Sequence, residues 1–220
     1  QRAASEEENA RHQERDCAQH EGADDGRASS HGYSMRVPKT GLGDGAEHAG
    51  DPAPKKVLDI AASHGLFGIA FGRRFPECHV TGLDWGAVVA VARENAAAAG
   101  MQDRYSTIVG SAFDVPWGEG YDLVLVPNFL HHFDRAMCTA LLRRARAALA
   151  PRGRVAIVEW IPNEDRVSPP APALFAMTML LTTPKGTTYT AMELAAILTD
   201  AGFGTPTVIR TTHYRGGHEA

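Results

Sequence analysis

Beyond residue 54, short apolar runs alternate along the chain with longer stretches whose apolar residues recur at helical spacing. The short runs are rich in Val, Ile and Leu and predict buried strands, whereas the longer stretches predict helices. Strands that alternate with helices join through right-handed crossovers into a mostly parallel sheet covered on both faces. The predicted strands are residues 56–61, 79–83, 105–109, 121–126, 154–160 and 207–211, and the predicted helices are 66–75, 86–99, 135–150 and 191–201. The pattern therefore predicts an α/β, Rossmann-like fold that binds ligands at the carboxyl ends of its strands.

The first 54 residues show neither the helical nor the strand period. Their large apolar side chains are Tyr33, Met35, Val37 and Leu42, against eleven Asp or Glu and six Lys or Arg residues. So little apolar surface cannot offset the entropy lost when a chain becomes ordered. We expect a disordered acidic tail over residues 1–54 and one folded domain over residues 55–220.

Charge and cysteine content exclude several classes of protein. A net charge of −4 argues against a nucleic-acid partner, which needs a basic surface, and favours a small neutral or anionic substrate. The three cysteines are far apart without a C-x-x-C pair, and the four histidines of the tail lack ligand spacing, so we expect no disulfide framework and no metal site. No apolar run reaches the roughly 18 residues of a membrane span, and the acidic N-terminus does not resemble a secretory signal. These features predict a cytoplasmic protein without a membrane partner.

The loop after the first predicted strand carries small residues at Ala61, Ser63 and Gly65, which let a ligand approach the backbone. Asp59 ends the strand, and its carboxylate would repel a dinucleotide pyrophosphate but attract an amine or a sulfonium. The loop thus favours S-adenosylmethionine over NAD. An NAD-linked oxidoreductase would also need G-x-G-x-x-G here, which the chain lacks.

A second carboxylate, Asp84, ends the second predicted strand 25 residues after Asp59. Nucleoside-binding folds place an acid on the ribose hydroxyls at such a position, and the neighbouring Trp85 suits an adenine face. Alternatively, both aspartates are ordinary helix N-caps, a common role for Asp. The two acids together, each before a small-residue loop, favour a cofactor site.

Five segments of the folded part form a recognisable set: VLDIAASHG, GLDW, GSAFDVP, YDLVLVPNFLHHFD and GRVAIVEWIPNEDRVSPP followed by AGF. Together they resemble the class I S-adenosylmethionine-dependent methyltransferases, and specifically the catalytic domain of the small-molecule O-methyltransferases. The family's loop is usually G-x-G-x-G, so Ala61 and Ser63 replace two glycines, and binding should survive if both positions keep negative φ. The resemblance implies that Ser111, Ala112 and Phe113 close over the adenine, with Ser111 where the family commonly has Asp, and that Asn128 belongs to the cofactor site.

The resemblance also implies a catalytic base. The family's Leu-His-Asp-Trp element aligns with residues 130–133, which gives His131 as the base and puts His132 where the family has Asp. Plant members hold the base with a Glu 28 residues later, which corresponds to Glu159, and the carboxylate would orient the imidazole ring. Their second Glu corresponds to Thr188. Because a His-His pair also occurs in methyltransferases that do not use it as a base, a structural role for His131 stays open.

The segment 162–185 resembles the family's acceptor-side insertion. Its run 174–181 is apolar on nearly every face, so as a helix it must be covered. Phe175 and Met179 are i and i+4 neighbours that would share a face, either as plain core or as a wall of an acceptor pocket. In the second case the acceptor is aromatic or otherwise apolar.

The sequence thus predicts methyl transfer from S-adenosylmethionine to a small apolar or aromatic acceptor, at a hydroxyl oxygen. Two alternatives stay open: transfer to carbon or nitrogen, and a non-catalytic chain that binds the cofactor without turnover. The family usually adds an N-terminal helical domain that dimerises, so a homodimer is expected only with a fuller N-terminus. We also expect the family's last, antiparallel strand to be absent or reduced to residues 213–215, which would leave an unpaired sheet edge.

Overall fold

The computed structural model describes residues 33–38 and 52–210 of the chain. Within that part, strands and helices mostly alternate after the first strand, as the sequence pattern predicts, except that two strands follow one another at residues 105–127 and two helices at residues 170–200. The elements in chain order are β1 (Tyr33–Pro38), β2 (Lys56–Ile60), α1 (Leu66–Arg74), β3 (His79–Asp84), α2 (Gly86–Ala98), β4 (Tyr105–Val109), β5 (Tyr121–Pro127), α3 (Arg135–Ala148), β6 (Leu149–Glu159), α4 (Pro170–Thr182), α5 (Ala191–Asp200) and β7 (Thr207–Arg210).

The seven strands form one sheet in the order β4-β3-β2-β5-β6-β1-β7. Neighbouring strands from β4 to β6 pair in parallel, which confirms the predicted α/β fold. The chain first builds outwards from β2 to β4 and then returns to build on the other side with β5 and β6. The order therefore reverses between β2 and β5, and the carboxyl edge at such a switch point is where open parallel sheets bind ligands.

Helices cover both faces of the sheet, which explains why the strands read as continuous apolar runs. Val57 and Leu58 point to opposite faces of β2, and both are fully buried. On one face Val57 belongs to a core with Ile69 of α1, and on the other Leu58 belongs to a core with Leu141 of α3. The start of α3 is determined by a nearby residue: Asp134 caps the helix by accepting a hydrogen bond from the Met137 amide at 2.9 Å.

Strand β1 departs from the expectation of a tail without regular structure over residues 1–54. It pairs antiparallel with β6 from Tyr33 opposite Glu159 to Pro38 opposite Arg154, and antiparallel with β7 on its other side. The prediction of an unpaired sheet edge beside β6 is therefore wrong. The physical reason is that β6 and β7 supply backbone partners that composition does not reveal. The predicted short strand at residues 213–215 lies outside the described residues.

Two further boundaries differ from prediction. Strand β6 begins at Leu149 rather than at residue 154, and α4 extends over Pro170–Thr182, beyond the apolar run 174–181. The other predicted elements agree with the structure to within two residues at each end. In the described residues, no helix combines the length and the apolar character needed to cross a lipid bilayer.

Candidate functional site

The loop between β2 and α1 adopts a conformation that usually belongs to glycine. Ala61, Ser63 and Gly65 have φ values of 52°, 50° and 83°, all in the left-handed region. The condition under which binding was expected to survive, a negative φ at Ala61 and Ser63, is therefore not met. Hydrogen bonds enforce the conformation: the Ser63 amide donates to Asp84 Oδ2 at 2.9 Å, and the Gly65 amide donates to the Ala62 carbonyl at 2.8 Å.

Asp59 lies beneath this loop and is completely buried. Its Oδ2 accepts a hydrogen bond from the Gly68 amide at 2.9 Å, in the first turn of α1. Its Oδ1 has no hydrogen-bond partner. Burial raises the pKa of the Asp59 carboxyl to about 8, because the charged form is poorly solvated there.

Asp84 lies beside Asp59, at the end of the adjacent strand β3. Its Oδ1 accepts from the Trp85 amide at 2.7 Å, so both carboxylate oxygens are used by backbone donors. Burial nevertheless raises its pKa above the ordinary value. The two helices start after Gly65 and Trp85, so neither aspartate is an N-cap as the alternative interpretation required. Trp85 itself is only partly buried at the same edge.

Tyr105 of β4 completes the cluster under the loop, and sequence reasoning missed it. Its side chain is buried and its hydroxyl has no hydrogen-bond partner. The lack of a side chain at Gly82 and Gly65 makes room for it, because a Cβ would lie 2.5 Å from the hydroxyl at Gly82 and 2.9 Å at Gly65. Burial raises its pKa, and the charges of Asp59 and Asp84 raise it further. Its position in an apolar run gave no signal of this role.

The segment after β4 forms a tight turn next to the same edge. The Phe113 amide donates to Ser111 Oγ at 3.2 Å, Ala112 is buried, and the Phe113 ring packs edge-on against Phe133. Arg144 of α3 donates to the carbonyls of Phe113 and Val115 and holds the turn. Arg144 was missed because an arginine on a charged helix face carries no sign of what it contacts.

His131 and Glu159 meet at the carboxyl ends of β5 and β6, as the 28-residue spacing suggested. His131 Nδ1 lies 2.7 Å from Glu159 Oε2, and both side chains are buried. An ionised carboxylate only accepts hydrogen bonds, so this contact favours the tautomer of His131 that carries its proton on Nδ1. Glu159 Oε1 also accepts from the Leu130 amide at 2.8 Å, which fixes the short 3₁₀ turn Leu130–His132.

Asn128 leads into that turn and is exposed. Its φ is 49°, and its amide donates to the Val158 carbonyl at 2.7 Å, so the chain turns sharply where β5 leaves the sheet. On the other side of the turn, the Thr187 amide donates to the His131 carbonyl at 2.9 Å. Thr188, where plant members have their second Glu, is buried.

Aromatic rings extend from His131 towards α4. The Phe175 ring contacts the His131 ring edge-on with centroids 4.8 Å apart, and its other neighbour is Trp160 at 5.2 Å. Phe175 and Trp160 are both partly exposed. Met179, predicted to share a helix face with Phe175, is 1% exposed and packs as core in this structure. Trp160 ends an apolar run, and that position alone did not distinguish it from a core residue.

The described residues bring no group of three or more His, Cys, Asp or Glu side chains together in a way that could hold a metal ion. Cys78 and Cys138 are both free and buried. The histidines of the tail and Cys17 lie outside the described residues.

Comparison with known proteins places these features in a family. The O-methyltransferase domain profile matches residues 54–204. The 3-hydroxy-5-methyl-1-naphthoate 3-O-methyltransferase of Streptomyces sahachiroi is 34% identical over 148 residues, which cover 67% of this chain and 43% of that protein. The mouse acetylserotonin O-methyltransferase is 32% identical over 175 residues, covering 77% and 44%.

Solved structures agree. A crystal structure assigned as an O-methyltransferase of Nostoc punctiforme superposes with a TM-score of 0.71 at 46% identity, covering 74% of this chain and 53% of that one. Human N-acetylserotonin methyltransferase, in complex with S-adenosylmethionine, superposes with a TM-score of 0.61 at 25% identity, covering 68% and 42%. This chain therefore spans about half the length of the relatives that it matches. The matched profile and the geometry of the sheet edge together show that the chain belongs to the S-adenosylmethionine-dependent O-methyltransferase family.

Proposed function

We propose that the chain transfers a methyl group from S-adenosylmethionine to a hydroxyl oxygen of a small apolar or aromatic acceptor, with His131 as the general base. The observation that carries the proposal is the His131–Glu159 pair, held at 2.7 Å at the carboxyl ends of β5 and β6, on the same edge of the sheet as the cofactor loop. Named relatives support the reaction class, since they methylate oxygen on naphthoate and acetylserotonin scaffolds.

The residues at the sheet edge fit the family's cofactor. Asp59 Oδ1 is buried and has no hydrogen-bond partner, so this edge offers an acidic group whose ionised form a cationic cofactor would stabilise. S-adenosylmethionine supplies the methyl group on a positively charged sulfur. We assign its binding to one set of residues along the loop and the strand ends: Asp59, Ala61, Ser63, Gly65, Asp84, Trp85, Ser111, Ala112, Phe113 and Asn128.

In this proposal His131 Nε2 removes the acceptor proton as the new bond forms. Glu159 accepts from Nδ1 and so fixes both the tautomer and the ring orientation. The pair is buried, which keeps water from competing for the nitrogen. A positioned base of this kind contributes about 10²- to 10⁴-fold to a rate.

The acceptor would lie beside Phe175 and Trp160, the partly exposed rings next to His131. Met179 would support Phe175 from the core instead of touching the acceptor. A net charge of −4 supports a small molecule over a nucleic acid, and two free, buried cysteines support a reducing cytoplasmic setting. We assign the catalytic domain to residues 55–220 together with β1, and dimerisation to a longer form that carries the family's helical domain.

Two measurements test the proposal. Calorimetric titration with S-adenosylhomocysteine and with NAD should give heat only with the former. Incubation with S-adenosylmethionine and a panel of phenols, catechols and hydroxyindoles should yield methylated product. Cofactor binding without product over the whole panel would favour the non-catalytic alternative, and binding of NAD alone would overturn the proposal.

Replacement of His131 distinguishes a role as general base from a purely structural role. His131→Ala should lower the rate about 10²- to 10⁴-fold while the Kd for S-adenosylhomocysteine stays within about twofold, because the ring acts on the acceptor. His132→Ala removes the neighbouring imidazole and is the matched control, expected to keep most of the rate. Full activity in His131→Ala would show that this histidine has only a structural role.

A further inference from the structure

The acids under the cofactor loop lack a compensating charge. Within the described residues, no Lys, Arg or His forms an ion pair with Asp59 or Asp84. Asp59 accepts one hydrogen bond, and its second oxygen has no partner. An ionised carboxylate in such a place is costly, and proteins usually avoid the cost by pairing it or by protonating it.

The groups that face Asp59 come from three elements. Asp84 of β3 adds negative charge, the Tyr105 phenol of β4 is neutral, and the Gly68 amide of α1 donates the single hydrogen bond. The cluster is compact, because a Cβ at Gly68 would lie 3.0 Å from Asp59 Oδ2 and 3.6 Å from Tyr105 Cε2. A bound cation would stabilise the ionised form of Asp59 more than any of these groups does.

We propose that the Asp59 carboxyl carries a proton in the empty protein and releases it to solvent when the cofactor binds, so that cofactor affinity rises with pH. The inference rests on the proposed function. On release the O–H bond of Asp59 breaks, the electron pair stays on its oxygen, and the resulting carboxylate balances the positive charge of the cofactor. The pKa of about 8 that burial gives Asp59 agrees with this arrangement, since an approaching cation lowers it.

Calorimetry at pH 6 and pH 7 in phosphate and in ACES tests the coupling, because both compounds buffer in this range and take up protons with different enthalpies. At these pH values the α-amino group of the ligand, with a pKa of about 8, stays largely protonated. Wild-type protein should release about one proton per S-adenosylmethionine bound, and the Kd should fall about tenfold from pH 6 to pH 7. S-adenosylhomocysteine lacks the sulfonium, so equal release with it assigns the effect to the ammonium, and release with S-adenosylmethionine alone assigns it to the sulfonium.

Variants identify the group that titrates. Asp59→Asn should bind without buffer-dependent heat, whereas Tyr105→Phe, the matched control in the same cluster, should release as many protons as wild type. An infrared difference spectrum supplies a measurement that does not need a variant: the carbonyl band of a protonated carboxyl should be present in the empty protein and disappear on binding.

The outcomes separate the coupling from the function. Binding with heats that are equal in both buffers, or a persistent carboxyl band, overturns the coupling and leaves methyl transfer intact. Equal proton release in Asp59→Asn also overturns it. If the wild-type protein binds neither S-adenosylmethionine nor S-adenosylhomocysteine at any pH, the proposed function itself is overturned.

Discussion

Ala61 and Ser63 hold a left-handed backbone on the cofactor loop, a conformation that costs a residue with a side chain about 1–2 kcal/mol. The loop keeps this conformation because the Ser63 amide donates to Asp84 Oδ2 and the Gly65 amide donates to the Ala62 carbonyl, and these hydrogen bonds constrain the backbone. At the residue scale, the site therefore combines backbone strain with an uncompensated buried acid, and both should be visible in stability.

Ala61→Gly should raise the free energy of unfolding by about 1 kcal/mol, because glycine adopts positive φ without a steric cost and its extra chain entropy offsets only part of the gain. Urea denaturation measures the change. Ala62→Gly is the matched control on the next residue: its φ is not positive and its methyl group is buried, so stability should fall by about 1 kcal/mol. A loss of stability in Ala61→Gly would contradict the strain.

Asp59 should make the empty protein less stable as pH rises. Its pKa is about 8 when folded and near 4 when unfolded, so between these values the folded state binds the extra proton. The stability that this proton contributes is fully present below pH 4 and is lost as pH rises to 8. The slope is about 1.4 kcal/mol per pH unit.

The measurement is the free energy of unfolding of wild type minus that of Asp59→Asn across this window. Subtraction removes the histidines and the other carboxyls, which titrate in both proteins. A difference that does not change with pH would mean that Asp59 is already ionised when the site is empty.

Among the elements, β1 has the largest consequence for the sheet. It lies between β6 and β7, and in the described residues β7 pairs with no strand other than β1. Tyr33 is in register with Glu159, so β1 also begins beside the residue that holds His131. The Arg154 guanidinium donates to the Pro52 carbonyl at 2.6 Å, opposite the other end of β1.

Deletion of residues 1–38 should expose the edge of β6 and release β7. Hydrogen exchange should then show loss of protection at residues 207–210 and along the β1-facing amides of β6, while β2 to β5 stay protected. Deletion of residues 1–30 retains β1 and is the control. Unchanged protection of β7 in the longer deletion would show that β1 does not hold it.

For the whole molecule, α4 is the conspicuous surface. Its exposed apolar side chains are between 62% and 83% accessible: Leu174, Met177, Leu180 and Leu181. Only Pro172 and Met179 of this helix are buried. Exposed apolar residues grouped on one helix favour association with other apolar surfaces.

The double variant Leu180→Glu, Leu181→Glu should reduce light scattering of concentrated protein and change the free energy of unfolding by no more than about 0.5 kcal/mol, since both side chains are exposed. The single variant Leu181→Glu is compared with Met192→Glu, which adds the same single charge on an exposed residue of α5 and should have a smaller effect. Equal scattering by the double variant and wild type would show that α4 does not drive association.

The sequence alone determined the parallel sheet, its helices and the residues at its carboxyl edge, because hydrophobic periodicity and motif spacing are local properties. The 28-residue separation of His131 and Glu159 paired them only together with the resemblance to the family. Tertiary structure decided the rest. It set the positive φ of Ala61 and Ser63, placed Tyr105 under the loop and Arg144 behind the turn at Phe113, and buried Met179. It also gave residues 33–38 a place in the sheet, because a strand's backbone hydrogen bonds depend on partners more than a hundred residues away, which no local pattern can reveal.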